Sequence, residues 1–233
     1  EERKVLAELS ALVAEEASAL NQVVAVLRTL DLALARGRYG RWLGGVEPQL
    51  EPAAEAPFRF SGLRHPLLVW QHKRADGPPV VPISVEVSPE LRVVAITGPN
   101  TGGKTVTLKS IGLAALMARA GMLLPCSGQP SLPWCAQVLA DIGDEQSLQQ
   151  SLSTFSGHVK RIGRILEALQ RGSAPALVLL DEVGAGTDPS EGTALATALL
   201  KALADRARLT IATTHFGELK ALKYDDARFE NAS

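Results

Sequence analysis

Between the apolar run Val93-Val94-Ala95-Ile96 and a helical pattern that opens at Val106 lies Gly98-Pro99-Asn100-Thr101-Gly102-Gly103-Lys104-Thr105. A glycine-rich turn at that junction commits the chain to a strand, a tight loop and a helix in immediate succession, the arrangement a phosphate-binding loop requires. The glycines remove Cβ atoms where backbone N–H groups must close on phosphate oxygens. Lys104 supplies charge for the outer phosphates, and the Thr105 hydroxyl can ligate Mg²⁺. The helix that follows adds its positive end. A glycine-rich turn that binds nothing is the alternative, and the flanking strand and helix weigh against it.

A second motif points the same way. Ala176-Leu177-Val178-Leu179-Leu180 reads as a buried strand that ends in Asp181-Glu182. Two carboxylates at the C-terminal end of a strand lie where open α/β sheets bind ligands. Asp181 is then placed to hold Mg²⁺, usually through water, and Glu182 to orient or deprotonate an attacking water.

Along the chain, strands expected at 93–97, 137–142, 176–181 and 208–214 alternate with helices at about 103–120, 156–170 and 189–205, which predicts a mostly parallel sheet flanked by helices. Strand-like pieces at Phe58-Arg59-Phe60, Pro66 to Trp70 and Val80 to Val87 predict a side sheet bordering the nucleotide pocket. Thr187-Asp188-Pro189-Ser190-Glu191 reads as a helix start, with Asp188 as N-cap and Pro189 at the first helical position.

Residues 1 to about 36 contain no Pro and carry Leu6, Val13, Leu20, Leu27 and Leu34 seven apart, with Leu9, Val23 and Leu30 three places after their partners. That is a heptad stripe, interrupted at Glu16, and an amphipathic helix or helix pair packed on a neighbouring domain fits equally well. A continuous helix here would span on the order of 50 Å. The absence of a capping signal at the start suggests a cut end. Gly37 to Pro57 reads as a punctuated connection, with Arg36, Arg38 and Arg41 as a solvated helix end.

Composition narrows the function classes. A formal net charge of −1 over 233 residues argues against a chain that by itself wraps a long stretch of nucleic acid. Cys126 and Cys135 have no zinc-ligand spacing around them and read as two unpaired thiols, which together with the lack of a signal peptide predicts a reducing, cytoplasmic compartment. Gly, Arg or Pro breaks each apolar stretch, so a soluble protein with no membrane span is expected.

Taken together, the Gly98–Thr105 loop, Asp141-Ile142-Gly143-Asp144-Glu145-Gln146-Ser147, Leu152-Ser153-Thr154-Phe155, Asp181-Glu182-Val183-Gly184-Ala185-Gly186-Thr187-Asp188-Pro189 and Thr213-Thr214-His215-Phe216-Gly217-Glu218-Leu219-Lys220 resemble the ATPase domain of the MutS family, and most closely its type 2 branch. The resemblance implies an α/β, ABC-type P-loop ATPase with an antiparallel side sheet and an N-terminal helical lever segment, divided as 1–50 lever and 51–233 ATPase domain. It implies ATP or ADP with Mg²⁺ as ligands and an ATP-dependent homodimer. In that dimer each nucleotide lies between one subunit's Gly98–Thr105 loop and the other's signature segment, which Ser153 and Thr154 match. Hydroxyls at a helix start suit a γ-phosphate, although they suit a plain helix cap as well.

His215 matches the family's switch histidine, which senses the γ-phosphate, and Asn100 its phosphate-loop asparagine. Where other MutS proteins stack an aromatic residue on adenine, this chain has Pro79-Val80-Val81-Pro82, so aliphatic packing by Val80 and Val81 is expected instead. The implied action is ATP hydrolysis that moves clamp elements of a protein acting on branched DNA, in suppression of homologous recombination, or on collided ribosomes. The alternatives are a dimerisation module that hydrolyses ATP negligibly and the ATPase domain of a mismatch-repair MutS. With no nuclease segment in view after Ser233, cleavage of DNA is not expected of this stretch.

Overall fold

The computed structural model describes residues 1–51, 56–75, 77–98, 102–143, 154–172 and 175–232, with the backbone alone at Ala75 and Thr154. Pro99, Asn100, Thr101 and Ser153, all named above as candidate site residues, lie outside the described residues.

Five parallel strands form the central sheet: β4 (Val93–Thr97), β6 (Gln137–Asp141), β7 (Ala176–Leu180), β8 (Leu209–Thr214) and β9 (Phe229–Ala232), in the order β6-β7-β8-β4-β9. The crossovers run through α4 (Lys104–Arg119), α5 (Thr154–Arg171) and α6 (Pro189–Ala204). Strand β7 shows why this sheet has two covered faces. Leu177 and Leu179 join a core with Leu108 and Ile111 of α4, while Ala176, Val178 and Leu180 join another with Ile165 of α5 and Leu200 of α6. A continuous apolar run is what period-two alternation produces when both faces are buried.

The strands outside that alternation are informative. Strand β9 carries only Phe229 as a large apolar residue, with Glu230 and Asn231 beside it, so its sequence gives little strand signal. It forms the edge next to β4. The second sheet has the order β1-β5-β2-β3, from β1 (Gln49–Glu51), β5 (Ser131–Pro133), β2 (Phe58–Leu63) and β3 (Ile83–Val87). It is mixed, because β1 pairs parallel with β5 while β2 runs antiparallel to both β3 and β5. Phe58, Phe60 and Leu63 turn inward against α4. Arg208, at the start of β8, ties the two sheets together: it is buried, its guanidinium donates to the Ala56 carbonyl at 2.7 Å, and it lies over the Phe58 ring.

Three local expectations are corrected. Pro66 to Trp70 is not a strand but the opening of α3 (Pro66–Ala75). Pro66 fits the first helical position, where no N–H is needed, and Val69 is buried while Leu67 and Trp70 are exposed, which is helical spacing. Val80 and Val81 precede β3, which begins only at Ile83. Residues 1–36 form a pair of helices, one of the alternatives above, with α1 (Glu2–Glu15) and α2 (Ala17–Leu43) parted at Glu16; the connection expected from Gly37 is instead helical as far as Leu43, because α2 continues through Gly37 and Gly40 to a left-handed cap at Gly44. The close approach of Leu123 to Gly40 accounts for that glycine, since a Cβ there would lie 2.6 Å from Leu123 Cδ1.

Both helices expose their apolar residues; Leu6, Leu20 and Leu27 are about half exposed. By length and composition α2 is long and apolar enough to cross a membrane, contrary to the expectation above. Arg28 and Asp31 lie one turn apart near its middle, however, and such charges cost about 2.5–3.5 kcal/mol each at a bilayer centre.

Cys126 and Cys135 are free thiols and buried, as their lack of partners in sequence suggested. Burial pushes both pKa values up to about 11, so hardly any thiolate exists at neutral pH. Iodoacetamide at about pH 8 is therefore expected to leave both unlabelled in the folded chain and to label both after denaturation, as intact mass will show; labelling of the folded chain at the rate of a free thiol would refute this.

Candidate nucleotide site at the sheet edge

Parallel register brings the C-terminal ends of the strands to one edge. Thr97 lies beside Thr214, Leu180 beside Ala212 and Asp141 beside Leu180. The edge therefore collects Gly98 after β4, Asp181-Glu182 after β7 and His215 after β8.

Lys104 opens α4 immediately after Gly103, whose φ of 76° is left-handed and easily reached only without a Cβ. The Lys104 side chain is buried, and its Nζ donates to the Gly98 carbonyl. Thr105 follows on the first turn of α4, half-buried. That bond ties the first residue of α4 back to the residue that follows β4.

The two carboxylates after β7 are fixed by one side chain to which the motifs above give no role. Thr213, fully buried in β8, donates its hydroxyl to Asp181 Oδ1 at 2.5 Å, and its own Oγ1 accepts the Glu182 N–H at 2.8 Å. The Thr213 carbonyl accepts the Val183 N–H at 2.9 Å. These bonds bracket Glu182, the one non-glycine residue with positive φ, 50°, among the described residues. A left-handed non-glycine residue costs on the order of 1–3 kcal/mol and persists where its surroundings over-determine it. His215 then meets the carboxylate itself, its Nε2 lying 3.0 Å from Glu182 Oε1. His215, matched above to the switch histidine by resemblance, is thus in direct contact with Glu182.

Beyond Glu182, Gly184 and Gly186 have φ of 84° and 90°, and α6 begins as expected: Asp188 accepts from the backbone N–H groups of Ser190 and Glu191, with Pro189 next to it. The 183–187 loop rests on α6 so closely that a Cβ at Gly184 would lie 2.6 Å from the Gly192 carbonyl oxygen.

A second polar group adjoins this one. Asp141, buried at the end of β6, accepts the Asp181 N–H at 2.9 Å through its main-chain carbonyl. Its carboxylate is closed by two residues of α5, His158 donating from Nδ1 at 2.6 Å and Arg161 from Nε. The helix so fastened begins at Thr154, the described half of the Ser153-Thr154 pair. The sequence hint for this cluster is modest: His158 and Arg161 lie three apart, on one helix face.

Val80 and Val81 do line a cleft of about 380 Å³, together with Gly102, Gly103 and Val106. Leu68 and Gln71 of α3 also line it, residues that only the helical form of that stretch brings there. Val81 is 81% exposed, so an aliphatic wall is presented to whatever enters.

The donor set suits Mg²⁺, a hard cation that prefers carboxylate and hydroxyl oxygens: a buried carboxylate, Asp181, lies at the sheet edge that also receives Thr105. Among the described residues no cluster of three or more His, Cys, Asp or Glu could hold a metal ion by itself. A site completed by phosphate oxygens and water is what such a sparse protein contribution fits.

Comparison with known proteins agrees with this geometry. Residues 94–233 match the family described as MutS domain V. The chain is 57% identical over 249 residues to the protein named endonuclease MutS2 from Synechocystis sp., covering 100% of this chain and 30% of that protein. It is 49% identical over 235 residues to the one from Symbiobacterium thermophilum, covering 100% and 28%, and 46% identical over 239 residues to the one from Thermomicrobium roseum, covering 99% and 29%. The chain thus spans about 30% of the length of the curated relatives it matches. With its parallel sheet, its edge-on carboxylates and these likenesses, the chain belongs to the MutS family, carries that family's ATPase domain, and groups with the type 2 branch.

Proposed function

We propose that this chain binds ATP with Mg²⁺ at the sheet edge and hydrolyses it to ADP and phosphate, at sites completed by a second copy of the chain. The observation that carries the proposal is the bracketing of Glu182: its backbone is locked by Thr213 and its carboxylate is met by His215 at 3.0 Å. Such constraint on a carboxylate beside a second one, Asp181, suits a base that must meet a water in fixed orientation.

In this scheme the Gly98–Thr105 loop cradles the phosphates, and Lys104 exchanges the Gly98 carbonyl for a phosphate oxygen. Thr105 and Asp181 hold Mg²⁺, Asp181 through water. Bound Mg²⁺ neutralises charge on the β- and γ-phosphate oxygens. Glu182 accepts a proton from the attacking water, and His215 holds Glu182 and reports whether a γ-phosphate is present. The adenine lies in the cleft walled by Val80 and Val81. Ser153 and Thr154, the latter opening α5, serve the nucleotide of the partner copy.

The remaining assignments rest on family resemblance. Residues 1–50 act as a lever segment and 51–233 as the ATPase domain of a longer cytoplasmic protein. ATP-driven lever movement then acts on clamp elements engaged with branched DNA or a collided ribosome. The relatives are named endonucleases; we place that chemistry outside residues 1–233.

Steady-state turnover per chain, measured as the chain concentration is raised, tests the composite site. Turnover is expected to rise with concentration and to level off as dimers saturate. Constant turnover per chain would remove the second copy from the site, and tight ATP binding with no turnover at any concentration would leave a nucleotide-dependent dimerisation module.

A further inference from the structure

We propose that the Thr213 hydroxyl is a positioning group that sets both carboxylates of the site at once, and through them metal affinity and turnover; this rests on the ATP and Mg²⁺ scheme above. Thr213 lies in β8, the strand beside β7, and is fully buried. Its single hydroxyl has one proton and its oxygen can accept. The proton goes to Asp181 Oδ1 at 2.5 Å and the oxygen receives the Glu182 N–H at 2.8 Å.

The polarity of this pair is what gives it consequence. A hydroxyl that has committed its proton to Asp181 is a better acceptor for Glu182, so each bond strengthens the other. Donation to Oδ1 fixes the rotation of the Asp181 carboxylate and hence the direction its other oxygen offers a metal-bound water. Acceptance from Glu182 holds the peptide that carries its left-handed φ of 50°. His215 is two residues on, so the strand end that meets the Glu182 carboxylate also holds its backbone. A change at Thr213 therefore reaches the metal and the base together, without touching substrate.

A valine at this position has nearly the same shape and no hydroxyl. It removes one partner from a buried carboxylate oxygen and one from the half-buried Glu182 N–H, and a serine would restore both. Thr213→Val and Thr213→Ser are to be compared with the unaltered chain by fluorescent-ATP binding in EDTA and in Mg²⁺, by steady-state kinetics and by thermal melting.

In EDTA, Thr213→Val is expected to bind ATP within about threefold of the unaltered chain, since neither carboxylate contacts the nucleotide directly. The additional binding conferred by Mg²⁺ should fall by about 10–100-fold, the range for residues that orient metal ligands. Turnover number should fall by about 100-fold with KM little changed. Thr213→Ser should recover both readouts to within about threefold, because the hydroxyl and not the methyl is responsible. The proposal is overturned if Thr213→Val binds Mg·ATP as the unaltered chain does, or if Thr213→Ser folds to the same melting temperature yet rescues neither readout. Failure of the hydrolysis scheme itself would show differently, as turnover indifferent to Glu182→Gln, and the Mg²⁺-dependent binding would then still decide on Thr213.

Discussion

Glu182→Gln is expected to leave ATP binding unchanged while turnover drops by about 10²–10⁴-fold, the contribution a positioned base makes to proton transfer. The substitution preserves size and leaves the backbone hydrogen bonds from residues 182 and 183 to Thr213 in place. An amide can still accept from His215 Nε2, where the carboxylate now lies at 3.0 Å, yet it cannot take a proton from water. ATP-bound dimers should then accumulate, visible as a shift in mass by light scattering on adding Mg·ATP. Equal turnover by the variant and the unaltered chain would remove Glu182 from the chemistry.

Gly192→Ala is expected to have the second large effect, although residue 192 lies a full turn inside α6, away from any proposed ligand. A Cβ there would collide with the Gly184 carbonyl oxygen and lie 2.9 Å from Phe216 Cζ. Both obstacles belong to the site's own support: Gly184 is two residues past Glu182, and Phe216 follows His215. Alanine is ordinarily favoured over glycine in a helix by roughly 1 kcal/mol, but overpacking against backbone costs about 1–3 kcal/mol, so net destabilisation is expected. The displaced loop should reduce turnover by about 100-fold, as misplacements near 1 Å do. Thermal melting and steady-state kinetics check both parts. A variant that melts higher than the unaltered chain and turns over normally would show that the loop yields at no cost.

The backbone of the site was legible because its signals are local. Gly98–Thr105 between an apolar run and a helix, and Asp181-Glu182 at the end of Ala176–Leu180, each declare themselves within ten residues. So does the Asp188-Pro189 helix start. What escaped was set by distance along the chain or by weak pattern. Thr213 acquires its part only when β8 lies beside β7, 31 and 32 residues from its partners. Asp141 meets His158 and Arg161 across 17 and 20 residues. Helix α3 was misread because Leu67-Leu68-Val69-Trp70 is apolar under either periodicity, and the decisive fact, that only one side of it is covered, is tertiary. Strand β9 is an edge in which half the residues are polar, held by pairing with β4 and not by an apolar run.

Helix α5 is joined to β6 by two bonds from one side of one turn, His158 and Arg161 to the same Asp141 carboxylate. One such bond would behave as a ball joint; two, from points on the helix about a turn apart, resist a swing about that joint, while Ile165 and Leu169, packed in the core, resist a roll about the helix axis. Since the Asp141 main chain also holds the Asp181 amide, a force that swings the head of α5 is delivered as a pull on the strand ends beside it. The sheet edge is in that sense a plate with an arm bolted on at two points, and displacement at the arm's tip loads the plate.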